Sequence, residues 1–361
     1  MYWALTASLV GCVSSWIAPP LHRELTEADA DAARALGSNL VSGRFPSEVA
    51  QDCDRNATAF TWLAARSTDP AVVRAALIAA AGCDAQVDPE DLGLAAAAHV
   101  DSPDPRTLMA ALGAADAILG DLPVEHPLVG RLVVRGFDRH PQVRYEVLQV
   151  LDRRAWSQEA PLAAPFVAAL HETDAPWLVT EVLRRVRYRA KGLADPNPFR
   201  ASCVLLTTDL DPGIRGRAAL VLARLAPEDP QIVTILRYML RDPHGYSRSA
   251  AAEALTEIGY VPAIHDLAAR LDDPPAKNTW DMLPFDRLDG TSEAPHHAGS
   301  LHDKDHDAYL RAIQALSAGM GDDAFVYREV SALYSDLDII SAKRDAKKWY
   351  AAHADQIPKP E

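Results

Sequence analysis

Four histidines stand close together late in the chain: His296, His297, His302 and His306, with Asp303 and Asp305 between the last two. Imidazole and carboxylate are the ligand types that hold zinc and other divalent metals. Their spacing fits no known ligand pattern, so a polar surface loop is the competing reading. A second concentration of charge is Arg184, Arg185, Arg187, Arg189 and Lys191, five cations within eight residues, with Tyr188 among them. Such a stretch could hold phosphate or an acidic partner. It also fits a solvated last helical turn, where cations suit the helix C-terminus. Four cysteines, Cys12, Cys53, Cys83 and Cys203, complete the reactive groups. The sequence holds no nucleophile elbow, phosphate-binding glycine loop, dinucleotide fingerprint or His-Glu-x-x-His. It reads as non-catalytic, and no cofactor is expected.

The first residues give an address. Leu9-Val10-Gly11-Cys12 resembles the lipobox of bacterial lipoproteins, in which a cysteine after a small residue is lipidated. The run before it is apolar, as a signal requires, but it is short and carries no Lys or Arg. The resemblance implies a signal segment over 1–12, a lipid anchor on Cys12, a tether over 13–26 and a bacterial cell-envelope location. The alternative is a cytoplasmic protein. A helix over about 47–66, a turn at Ser67-Thr68-Asp69-Pro70 and a helix over 71–82 put Cys53 and Cys83 fifteen residues either side of Thr68. Equal distances from the turn of an antiparallel hairpin bring two residues side by side, so a disulfide is possible. Two buried thiols are the alternative. Cys203 reads as a core residue in ASCVLL.

What positions these residues is a repeat. Punctuation of the Asp-Pro type falls at 69, 104, 140, 174, 211 and 242, at intervals of 35, 36, 34, 37 and 31 residues. An aspartate accepts from free N–H groups at a helix start, and a proline in the first turn has no N–H to leave unpaired. Intervals of this size suit two-helix repeats, six or seven of them. Arg74, Arg106, Arg144, Arg215 and Arg248 follow marks at short distance, and are expected to pair with aspartates of neighbouring repeats.

The clearest copy is Arg241–Pro274. It reads as two short helices, the first opened by Asp242-Pro243 and closed by Gly259. Ala250, Ala251, Ala254, Leu255 and Ile258 share one face of the first; Ile264, Leu267, Ala268 and Leu271 form the stripe of the second. AAAEALTEIG followed by VPAIHDLAARLDD resembles a HEAT repeat of the variety first noted in phycobilisome lyases. The resemblance is specific over 242–274 and looser over about 69–320. It implies an all-α chain: an α-solenoid of six to seven HEAT-like hairpins with an irregular insertion before the terminal capping helices. It names no single activity. A scaffold that binds a protein or peptide on the solenoid groove is expected. The alternatives are a soluble lyase-like or other enzyme accessory subunit, and a metal-binding protein using the histidines. Deoxyhypusine hydroxylase resembles such an array but needs four His-Glu pairs for two irons; this chain has only His171-Glu172.

The expected organisation is a repeat array over 27–274, a His-rich insertion over 275–305, and a last repeat helix with a C-terminal cap over 306–361. The 361 residues are 48% hydrophobic and 7% aromatic, which suits close-packed, alanine-rich helices. Net charge is −14, which argues against nucleic acid as a partner. The charge is uneven: −10 over 1–130, +4 over 131–217 and −8 over 218–361. A basic middle between acidic flanks suits an acidic partner, or is ordinary scatter on solvated faces.

Overall fold

The structure is a computed structural model. It describes residues 53–83, 86–152, 160–273, 304–318, 320 and 336–360. Among them are fifteen α-helices and no strand. Eight of the helices begin on proline. Asp69, Asp88, Asp104, Asp211 and Asp229 each accept a hydrogen bond from a backbone N–H of the first turn that follows. The punctuation therefore acts as its chemistry dictates: a carboxylate satisfies donors that have no intrahelical partner. No helix of the described residues is long and apolar enough to cross a membrane.

The chain divides into two compact units, Met1–Phe166 and Val167–Glu361. The first holds α1 (Cys53–Arg66), α2 (Pro70–Gly82), α3 (Pro89–Ala97), α4 (Pro105–Ile118), α5 (Pro127–Arg135) and α6 (Pro141–Leu151); α7 (Ala160–Ala169) crosses the boundary. Here α1 packs with α2, α3 with α4 and α5 with α6. The first helices α1, α3 and α5 follow one another in one layer, and the second helices α2, α4 and α6 in another. Neither layer buries its apolar side alone, so each hairpin depends on its neighbours.

The second unit holds α8 (Pro176–Arg189), α9 (Asn197–Leu206), α10 (Pro212–Leu225), α11 (Pro230–Met239), α12 (Gly245–Ile258), α13 (Ala263–Arg270), α14 (Lys304–Ala318) and α15 (Asp336–His353). Its hairpins are α9 with α10, α11 with α12 and α13 with α14, and α8, α10, α12 and α14 form the layer of second helices. Six hairpins are thus seen among the described residues, three in each unit, stacked within each unit in the manner of an α-solenoid. The helix α15 closes the end by packing on α14 and α13. Its Trp349 is buried, as expected for a capping helix.

Helix α10 is apolar around most of its circumference because α8, α9 and α12 all pack on it. Close approach needs small residues. A Cβ on Gly216 would stand 2.5 Å from Cε1 of Tyr246. Gly259 closes α12 in the left-handed region, φ 76°, where glycine carries no Cβ penalty.

Three sequence expectations need correction. First, the two helices of Arg241–Pro274 are not one hairpin: α12 packs on α10, α11 and α14, while α13 packs on α14 and α15. Each mark sits in the turn that leads into the second helix of a hairpin rather than opening a repeat. Second, Asp242 does not cap a helix. The N-cap of α12 is His244, without a side-chain cap bond. Asp242 accepts from the His244 N–H at 2.8 Å, and both its oxygens accept from Arg215 at 2.7 Å. Third, α14 begins at Lys304, so Asp305 is helical instead of belonging to the insertion. The insertion from 275 to 303, the segment 1–12 and the tether 13–26 lie outside the described residues.

The arginine ladder forms in part. Arg74 donates to Asp104 at 2.9 Å and Arg215 to Asp242, each joining one repeat to the next. Arg144 and Arg248 donate instead to carbonyls of the turns before them, those of Asp138 and of Asp242 and Pro243. The first-helix layer adds pairs the marks did not announce: Arg131 with Asp101, Arg200 with Asp229 and Arg237 with Asp266.

Candidate functional site: an apolar groove between α2 and α4

In the second-helix layer of the first unit, α2 and α4 leave an open groove of about 560 Å³. Ile78 and Ala81 come from α2; Pro105, Arg106, Met109, Ala110, Gly113 and Ala114 come from α4. Ile78 is 53% exposed and Met109 45% exposed. The groove's floor is made of small residues. A Cβ built on Gly113 meets nothing within 4 Å. Arg106, Met109 and Gly113 fall at i, i+3 and i+7, so they share one stripe of α4.

The groove contains one cation and no anion. The nearby Asp104 is already committed: it accepts from the Thr107 hydroxyl at 2.6 Å, from the N–H groups of Arg106 and Thr107, and from Arg74. The Thr107 hydrogen bond, first among these, holds its carboxyl below the usual range. Among the described residues no carboxylate pairs with the Arg106 side chain, which is exposed.

The basic stretch 184–191 is dispersed by its helix. Arg184 and Arg185 both donate to Glu181, and Arg184 also stands over the Tyr188 ring. Arg185 is buried; Arg187 turns to Glu253 and Glu257 on α12, where Arg224 joins the same carboxylate of Glu257. Arg189 and Lys191 are exposed. The five cations therefore point in different directions, and three of them meet carboxylates of their own unit.

Of the histidines, His296, His297 and His302 lie outside the described residues. His306 is on α14, 1% exposed, and its Nε2 accepts from the Lys343 ammonium at 3.3 Å. Among the described residues no three His, Cys, Asp or Glu side chains are gathered to hold a metal. Cys203 is a buried free thiol whose pKa is pushed far up by burial, which makes it a poor nucleophile. Cys83 ends α2 and is buried. Cys53 begins α1, its side chain outside the described residues. Cys12 lies outside them too.

Two buried imidazoles give a pH expectation. His126 caps α5: its Nδ1 accepts from the Leu128 N–H at 3.1 Å, and its Nε2 faces Glu90 at 3.8 Å. Burial lowers its pKa, against the opposing pull of Glu90. Burial and then Lys343 bring His306 down to about 4. Above the ordinary value of 6.5 neither ring is charged, folded or unfolded. Below it the unfolded chain takes up protons that the folded chain refuses, so stability falls as pH drops from 6.5 toward about 4. The loss from His306 is on the order of 2 kcal/mol. Urea midpoints measured across this window should fall, and His306→Gln should flatten the fall. A midpoint independent of pH down to 4.5 would contradict it.

The sequence did not point to Ile78, Met109 or Gly113. In α2, PAVVRAALIAAAG, Arg74 is the one charged residue, so no polar face marks which side meets solvent. In α4 a signal exists: Met109 and Gly113 stand in line with Arg106, where a solvated face should be polar.

Comparison with known families agrees with this architecture. Residues 202–279 match the family model of HEAT repeats. These matched residues carry HEAT-like repeats. The matched span runs from within α9 past the end of α13, in the second unit. No curated protein matches the chain. Two solved structures of engineered proteins are similar. One is 16% identical, with 92% of this chain and 97% of that chain covered, at a TM-score of 0.37. The other is 15% identical, covering 80% of this chain and 97% of that one, at a TM-score of 0.26.

Proposed function

We propose that the protein is a non-catalytic HEAT-repeat scaffold that binds a protein or peptide, anchored to a bacterial envelope by lipid on Cys12. The groove between α2 and α4 carries the binding part: large apolar side chains stand in solvent on a repeat surface of the kind that holds partners. The address rests on Leu9-Val10-Gly11-Cys12. A Cys53–Cys83 disulfide belongs to the same reading, since an oxidising compartment permits it. Two observations support it. Cys53 and Cys83 stand at the far ends of the α1–α2 hairpin, and of the two cysteines whose side chains are described, Cys203 is the free one.

Cells carrying the gene with its native upstream sequence, fed an alkyne fatty acid, should label the wild type and not Cys12→Ser. Thiol alkylation before reduction should leave Cys53 and Cys83 unmodified. An unlabelled protein with both thiols alkylated would overturn the envelope reading in favour of an intracellular accessory subunit.

A further inference from the structure

Resting on the protein-binding reading, we propose that the α2–α4 groove receives one amphipathic α-helix whose apolar face fills it and whose carboxylate pairs with Arg106. The groove's own chemistry selects this occupant among the ways a chain segment is recognised. Strand addition needs a free sheet edge, and the described residues contain no strand. Polyproline recognition needs an aromatic-lined groove, and no aromatic residue lines this one. A phosphorylated motif needs clustered arginines, and Arg106 is the single cation here. What remains is a helix laid into a groove, and the floor suits it. Ala81, Ala110, Gly113 and Ala114 let a second backbone approach closely, while Ile78 and Met109 flank the seat.

The length is also set. Pro105 to Ala114 spans nine helical steps, about 14 Å at 1.5 Å per residue. That is about two and a half turns, which gives the incoming helix three apolar anchors, at i, i+3 or i+4, and i+7. The charge follows from what is already paired. Asp104 is held through Oδ2 by Arg74 and Thr107, and the Arg106 side chain pairs with no carboxylate among the described residues. An aspartate or glutamate of the incoming helix, one turn from its apolar anchors, supplies the missing anion. The volume of about 560 Å³ is in the usual range for a ligand site, about 300–1,000 Å³.

The test uses the full chain and a displayed library of 16-residue helical peptides. Leu, Ile, Met or Phe is fixed at i, i+3 and i+7, and the remaining positions are randomised. Selection on the wild type should enrich peptides carrying Asp or Glu beside the apolar stripe. Gly113→Leu, which fills the floor where a Cβ meets nothing, should weaken the selected peptides at least tenfold while thermal unfolding is unchanged or higher. Arg106→Glu should shift enrichment toward Lys and Arg. Peptides that bind Gly113→Leu equally well, or a preference that Arg106→Glu leaves unchanged, would overturn the proposal, as would a selection that enriches nothing. A concentration-dependent dimer abolished by Gly113→Leu would also overturn it, assigning the groove to a second copy. A photocrosslinker at Lys191 or at Tyr188 that captures an envelope protein despite such a result would leave the scaffold reading standing and sink this inference alone.

Discussion

Replacing Arg215 by alanine is expected to destabilise the protein by about 3 kcal/mol, as expected when one partner of a buried ion pair is removed. Arg215 is 8% exposed. Its Nε and Nη2 donate to the two oxygens of Asp242, and its Nη1 donates to the carbonyls of Asp209 and Leu210. One side chain thus pins the turn before α10 and the turn before α12. Alanine leaves the Asp242 carboxylate without its cation and two carbonyls without their donor. Arg215→Lys keeps the charge but loses the fork, so an intermediate loss is expected. Urea unfolding followed by far-UV circular dichroism measures all of these. A cycle with Asp242→Asn should show coupling of more than 1 kcal/mol, the mark of directly bonded partners. A loss below 1 kcal/mol for Arg215→Ala would show that the turns hold without it.

Gly93→Ala and Gly113→Ala should have opposite effects, although each places the same methyl group in a helix of the first unit. Both gain helix propensity, worth up to about 1 kcal/mol. At Gly113 nothing stands within 4 Å, so the gain is kept. At Gly93 the new Cβ would lie 2.6 Å from Cε1 and 3.0 Å from Nε2 of His126, and 3.0 Å from Leu122. The imidazole cannot swing aside, because it is buried and its Nδ1 caps α5. Overpacking of this kind costs about 1–3 kcal/mol, so the two variants should differ by about 2 kcal/mol. Thermal unfolding of both in parallel decides it, and equal shifts would mean that His126 relaxes freely. Gly113→Ala also leaves room in the groove, so it separates stability from the occlusion expected of Gly113→Leu.

The helices and their starts are legible in the sequence because capping is local chemistry. An aspartate before a proline needs only its own neighbours to act, and Asp69, Asp104 and Asp211 do so. Which helices pair is not local. Residues 240–244 join α11 to α12 and 259–262 join α12 to α13, loops of nearly equal length. Neither loop says which pair closes; the packing of Tyr246 on Gly216 and the docking of α14 on α12 reflect the frame, and both are distant in sequence. Arg187 shows the same limit. Its sequence neighbours suggest a basic patch, but its partners, Glu253 and Glu257, lie more than sixty residues on. The groove was hidden for a related reason. Alanine-rich helices bury and expose the same residue types, so only the assembled layer tells Ala80 in the core from Ala81 at the groove.

Four of the ion pairs between successive hairpins share a direction, while that of Arg131 with Asp101 runs the other way. Arg74, Arg200, Arg215 and Arg237 each reach forward to an aspartate 27 to 30 residues later, at the start of or within the next hairpin. At those four contacts a hairpin offers a cation to its successor and an anion to its predecessor. Copying or deleting one whole hairpin keeps a cation facing an anion only where both flanking junctions carry a forward pair, whereas a cut inside a hairpin leaves a half-pair on each side. Gene duplication and loss can therefore lengthen or shorten that part of the chain in whole hairpins.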